Sequence, residues 1–352
     1  MSENVYVKLR EHLDQMPIGY PKTESGVELK ILKKLFAAEE AEIAVLLSPF
    51  PEEAEQIAVR ANEDAMILNR RLADMSNNGL IFRINREGKT FYQLAPFMIG
   101  FYEYSVNKID TELAGLFKEY FDTAFLNELG ISNIPGFKVI PIQENISADQ
   151  TLAPYHTLEN KIRAARKIAV ADCICRKESR LTGDGCDYPL ETCLNFGVAA
   201  EYYIEIGIGR EIDADEAIRI LKEADDAGLV HAGANSKHLS NICNCCPCCC
   251  ASLKGITQKG HEKHRYMNAL YEAIIDYEAC TECEDCIETC PVEAISMAEV
   301  VMVDRDKCLG CGLCAGNCPG EAIAMTLRED REEPFEKVMD MGMAVLEAKK
   351  RL

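Results

Sequence analysis

Two twelve-residue stretches of this chain, CTECEDCIETCP and CLGCGLCAGNCP, carry cysteines at one spacing. Cys280, Cys283, Cys286 and Cys290 follow C-x-x-C-x-x-C-x-x-x-C with Pro291 next, and Cys308, Cys311, Cys314 and Cys318 repeat it with Pro319 next. The period is 28 residues, and each half runs on through VEAIS or GEAIA towards a short strand signal, VVMVD or MTLRE. Eight thiols on two tight loops leave few folds open, because the loops must wrap something that takes thiolate sulfur. Structural zinc sites use C-x-x-C pairs separated by a longer spacer, which this pattern does not match.

The pair resembles the bacterial dicluster ferredoxin. That resemblance implies two [4Fe–4S] clusters, because the cysteine before each proline turns away to the other cluster. Cys280, Cys283, Cys286 and Cys318 would then hold one, and Cys308, Cys311, Cys314 and Cys290 the other. Gly310 and Gly312 suit a backbone that passes close to sulfur and offers it N–H groups. The same segment is strongly acidic: Asp276, Glu278, Glu282, Glu284, Asp285, Glu288 and Glu293 stand in it without a base. An acidic rim is expected to dock a redox partner with a basic face.

Ten more cysteines lie upstream, bringing the chain to 18. ADCICRKESR supplies Cys173 and Cys175, GDGCDYPLETCLNFG supplies Cys186 and Cys193, and NICNCCPCCC supplies Cys243, Cys245, Cys246, Cys248, Cys249 and Cys250. In a reducing compartment such clusters bind metal or do redox chemistry. Neighbouring side chains on extended backbone face opposite ways, so six thiols in ten residues require at least two metal environments, or one large one approached from two sides. Thiolates without histidine at metal spacing suit iron–sulfur, Cu(I) or zinc. Beside a dicluster motif the expectation is one or two further iron–sulfur clusters. The alternative is thiol chemistry at the C-x-x-C pair Cys245 and Cys248. Arg176, Lys177 and Arg180 are candidates to offset thiolate charge, against a reading as plain surface charge. His261 and His264 read as a solvated face.

Between these cysteines the pattern alternates helix and strand. KIRAARKIAVADCIC reads as a helix and then a strand delivering Cys173. PLETCLNFGVAAEYYIEIG reads as a helix with Cys193 in its first turn. IDADEAIRILKEADDAGLVH reads as a helix with Asp213 and Glu216 as a capping box and Gly228 as its stop.

The first hundred residues lack cysteine and carry slightly more acids than bases. Apolar spacings of three and four give two helices in VELKILKKLFAAEEAEIAVLLS, a third in PEEAEQIAVRA and a fourth in NEDAMILNRRLADMSNNG, with Asn62 as cap and Gly79 as stop. LIFRINREGKTFYQLAPF alternates around a turn. This order over 27–97 resembles a winged helix-turn-helix domain. Arg70 and Arg71 would lie on its recognition helix, and Arg83, Arg86 and Lys89 on its wing. The acidic balance favours a docking or dimerisation module over a DNA reader.

The expected fold is a multidomain α+β chain: a winged-helix-like domain (1–105), a helix and extended linker (106–153), a cysteine-rich α/β iron–sulfur domain (154–264), a dicluster ferredoxin domain (265–331) and a C-terminal helix (332–352). This order resembles a family of anaerobes' proteins described as 4Fe–4S binding proteins. There is no apolar run long enough to span a bilayer and no signal peptide, so the expected location is the cytoplasm, with no membrane partner. With 38 bases against 58 acids the net charge is −20, which disfavours nucleic acid and anionic membranes. No phosphate loop, nucleophile elbow or nicotinamide fingerprint is present. The expected function is electron transfer between the ferredoxin clusters, a middle-domain cluster and a partner enzyme. The alternatives are a redox-sensing DNA-binding regulator and a ferredoxin-driven disulfide reductase, and the winged-helix module is a candidate for homo-oligomer contacts.

Overall fold

A seven-stranded sheet organises the chain. The computed structural model describes residues 2–141 and 154–351; the expected linker falls largely outside them. In spatial order the strands are Met267–Asn268, Phe137–Val139, Val230–Ala234, Asn241–Cys245, Glu191–Phe196, Ile168–Asp172 and Gly209–Glu211. All neighbours pair antiparallel except the first two, which run parallel. The sheet therefore takes one strand from before residue 154 and one from after residue 264.

Period-two alternation gives this sheet two different faces. Ile168, Val170, Leu194, Phe196 and Ile242 join one apolar core with Leu158 and Ile162 of helix Pro154–Arg163 and Ile220 and Leu221 of helix Ala214–Asp226. Cys193, Asn195, Asn241, Cys243 and Cys245 face a cavity on the opposite side. The segment around Cys193 is thus a strand, Glu191–Phe196, and not the first turn of a helix; the helix begins after it, at Val198–Glu205. Its apolar spacing fitted a helix, but a place between two strands already in the sheet decides the matter.

The N-terminal elements form where their periodicity puts them, as helices Val27–Leu35, Ala38–Ala44, Ala54–Ala61 and Ala65–Asn77. Hairpin strands Ile81–Arg86 and Lys89–Leu94 follow. Asn62 does not cap the fourth helix. It ends the third in the left-handed region, while the Asp64 carboxylate accepts from the N–H groups of Met66 and Ile67. The hairpin does not stand free. Tyr202 donates to the carbonyls of Ser76 and Ile81 at 2.9 and 2.7 Å, and Arg83 and Asn85 both reach Glu205.

The two cysteine motifs build matching halves. Strand Tyr271–Ile275 pairs with Ile323–Leu327, and Ile295–Met297 with Val301–Val303. Positions 28 residues apart share a left-handed backbone: Glu282 and Gly310 (φ 55° and 69°), Glu284 and Gly312 (67° and 87°), Glu293 and Glu321 (52° and 49°). At Gly310 a side chain is impossible, because a Cβ would lie 2.1 Å from the Tyr271 carbonyl oxygen.

Both ends of this unit are tied to the middle sheet. Met267–Asn268 enters as its edge strand. On the way out, Lys237 N–H donates to Phe335 O at 2.6 Å and Phe335 N–H to Asn235 O at 3.2 Å. Helix Val338–Ala348 then returns to the N-terminal module, where buried Lys349 pairs with Glu128 and donates to Pro17 O. Without Lys349 the buried Glu128 carboxylate would keep, among the described residues, only the Gly19 N–H at 2.7 Å and Arg351 at 4.0 Å, which compensates its charge poorly. Lys349→Met is therefore expected to cost about 3 kcal/mol of stability. Adding Glu128→Gln should return part of that loss, measured as a double-mutant cycle in urea.

Candidate iron–sulfur and thiolate sites

Each half of the dicluster unit encloses a small cavity whose sulfurs come from both motifs. One is lined by Cys280, Cys283, Cys286 and Cys318, with Ile275, Val301 and Ile323. The other is lined by Cys290, Cys308, Cys311 and Cys314, with Val292, Leu309 and Met325. Backbone N–H groups meet the crossing cysteines in the same way: Ala294 N–H donates to Cys290 Sγ at 3.2 Å and Ala322 N–H to Cys318 Sγ at 3.3 Å. Four sulfurs around an apolar void, with N–H donors aimed at sulfur, fit an iron–sulfur cluster.

The two cavities differ in surroundings. The first lies beside the acidic stretch: Cys283 is exposed, and so are all seven carboxylates there. Among the described residues none of those carboxylates has an ion-pair partner. The second holds Cys308 and Cys314 buried. Lys263 donates to the Cys308 and Arg305 carbonyls, both at 2.7 Å, and Arg328 donates to the same two at 3.1 and 2.8 Å.

The ten upstream cysteines separate into two sets. Six of them, Cys173, Cys175, Cys193, Cys243, Cys245 and Cys250, line a mostly apolar cavity of roughly 60 Å³ between the sheet and the N-terminal module, and Cys246 and Cys249 of the second set also reach its wall. Met98, Ile99 and Glu103 close it from the N-terminal side, and Met267 lies at its wall. Cys173 follows strand Ile168–Asp172 and precedes helix Ile174–Thr182; Cys250 precedes helix Ala251–Thr257. A hydrogen bond from Cys175, with the Arg176 guanidinium and backbone N–H, pulls the Cys173 thiol down to about 7. A hydrogen bond from Cys245 and the Leu253 N–H lower the Cys250 thiol. Asn195 and Asn241 turn their amides to Cys193 and Cys243, 3.6 and 3.7 Å from sulfur. Burial pushes the Glu103 carboxyl up to about 8, against the Gly100 N–H that it accepts.

The other four, Cys186, Cys246, Cys248 and Cys249, bring their sulfurs within 4.8 Å of one another. The pair Cys245 and Cys248 is thereby divided between two sites. Arg176 sits between the sets, fully buried, donating to Asn244 O at 2.9 Å, to Thr192 Oγ1, and to Cys246 Sγ at 3.8 Å. Arg180 holds the Cys186 loop through the carbonyls of Cys186 and Tyr188. Lys177 only approaches Asp172, and exposed His264 lies outside both sites. Glu103, Tyr203, the two asparagines and Met267 had no signal in the sequence.

Residues 273–325 match the family model of a 4Fe-4S dicluster domain. No curated protein matches the chain. Among the described residues no helix is long and apolar enough to cross a membrane.

Among the described residues Arg176 is the one base lining the six-thiol cavity. Arg176→Met is expected to lower stability by about 3 kcal/mol, since it strands buried acceptors and thiolates. It should also reduce iron bound outside the dicluster unit. Urea unfolding and iron analysis would show both; if neither moved, Arg176 would have no part in the site.

Proposed function

We propose that this protein is an iron–sulfur electron carrier or electron-transfer subunit, linking the two dicluster sites, a cluster in the six-thiol cavity and a partner redox enzyme. One observation carries the reading: the dicluster unit is attached to the sheet by the strand that walls the six-thiol cavity. Met267 lines that cavity and Ala273 lines the cavity of Cys290, Cys308, Cys311 and Cys314. The six residue-to-residue steps from one to the other reach about 20 Å at most. Such clusters, when bound, supply one-electron transfer at a potential set by charge, hydrogen bonds and exposure.

The chain's residues give the arrangement a direction. The set with exposed Cys283 presents seven carboxylates to solvent, none of them ion-paired among the described residues, which suits docking of a basic redox partner. The set nearer the sheet has Lys263 and Arg328 against the Cys308 carbonyl, and nearby cations favour the reduced form of a site. Electrons therefore run from the acidic rim inwards. The N-terminal module, with its resemblance to a winged helix, serves as a scaffold. Arg71 pairs with Glu63, Arg83 with Glu205 and Lys89 with Glu53, which leaves few cations for phosphate. The disulfide-reductase reading loses support because Cys245 and Cys248 face different sites.

Three measurements test this. Anaerobically reconstituted protein should hold sulfide in excess of the roughly eight that two cubanes need. The pair Cys193→Ser and Cys243→Ser should remove that excess and leave eight; a wild-type value of eight would sink the middle cluster. Lys263→Met should move one of the two dicluster potentials negative by on the order of tens of millivolts. Reduction by a basic partner should slow about tenfold as salt rises from low to high, and a rate indifferent to salt would discount the acidic rim.

A further inference from the structure

The four-thiol group has dimensions that an iron–sulfur cubane does not share. Its sulfurs stand 3.5 Å apart for Cys186 and Cys249, 3.8 Å for Cys248 and Cys249, and 3.9 Å for Cys186 and Cys246. A single tetrahedral ion with metal–sulfur bonds of about 2.3 Å places its ligands about 3.8 Å apart. A cubane carries its ligands on four separate irons and spreads them to about 6 Å. Among the described residues this is the only group of three or more cysteine, histidine or acidic side chains drawn this close. The dicluster sulfurs, in the same structure, stand wider around their cavities.

We propose that Cys186, Cys246, Cys248 and Cys249 bind one divalent metal ion, zinc or ferrous iron, as a closed tetrathiolate centre without inorganic sulfide. All four ligand positions are filled by sulfur, which leaves no open position for substrate and makes the site structural. Its work is mechanical. Cys186 belongs to the loop before strand Glu191–Phe196, held in place by Arg180; the other three belong to the turn after strand Asn241–Cys245. An ion joining them fixes that turn, with Pro247 inside it, so that Cys250 comes back to the six-thiol cavity. The buried Arg176 guanidinium at Cys246 Sγ offsets part of the net charge of four thiolates on a divalent ion. Binding releases the thiol protons to solvent and changes no oxidation state.

The test uses the full chain, purified without oxygen. Metal and sulfide analysis should show one metal per chain that no sulfide matches. X-ray absorption at that metal's edge should show four sulfurs at about 2.3 Å and no second metal within about 3 Å. A zinc edge or an unmatched iron each supports the centre and tells the two ions apart. The double variant Cys186→Ser and Cys248→Ser should lose that one metal while sulfide stays unchanged. Should the variant not fold, cobalt grown into the wild-type chain should give the intense visible bands of tetrahedral thiolate cobalt. Metal fully matched by sulfide, a loss of about four sulfides in the variant, or no cobalt spectrum would overturn the proposal. Cluster loss from Cys193→Ser and Cys243→Ser tests the neighbouring cavity separately, so failure of either reading leaves the other standing.

Discussion

An extended backbone sends successive side chains to opposite faces, and this rule governs how ten upstream thiols are shared. Strand Asn241–Cys245 puts Cys243 and Cys245 on the cavity face and Ile242 in the helix-covered core. The turn that follows breaks the alternation. Cys246, Cys248 and Cys249 swing to Cys186, and Cys250 returns to the cavity at the start of a helix. Two thiol environments thus share a wall, and Arg176 stands in it as a common cation.

Charge is the second constraint. Thiolates buried together repel one another and lose hydration, so the fold must supply opposite charge or donors. The upstream sites draw on one guanidinium, two asparagine amides and the first N–H groups of two helices. In the dicluster unit the donors are backbone N–H groups at matching positions of the repeat, and Lys263 and Arg328 stand against the Cys308 carbonyl of the second motif. The exposed carboxylates of 276–293 stand instead in the stretch of the first motif. This asymmetry comes from where Lys263 and Arg328 attach, since the cysteine motifs themselves are near copies.

Legibility in the sequence followed the range of the interaction that decides each feature. The dicluster motifs are local patterns, and their loops, short helices and strands fall where the repeat puts them. Helix Ala214–Asp226 was readable from Asp213, whose carboxylate caps it; Glu216, expected to complete the box, pairs with Arg210 instead. Cys193 was misplaced because its strand exists only between two partners 20 to 50 residues away. At least two environments for NICNCCPCCC followed from alternation alone, but the division between Cys245 and Cys246 depends on Cys186, brought in by a distant loop. Glu103 and Met267 reach the cavity by tertiary packing, for which no spacing gives warning.

Attachment at both ends gives the dicluster unit a fixed position, and a relay needs one. A tethered ferredoxin on a flexible linker would sample many distances to the six-thiol cavity, most of them long. Here the entering strand is part of the sheet, Phe335 is hydrogen-bonded to Asn235 and Lys237 on the way out, and the C-terminal helix is held by the buried Lys349 and Glu128 pair. Neither end can swing without breaking sheet hydrogen bonds or exposing a buried ion pair. The N-terminal module therefore does two jobs at once: it closes the cavity with Met98, Ile99 and Glu103, and it receives the helix that locks the dicluster unit beside that cavity.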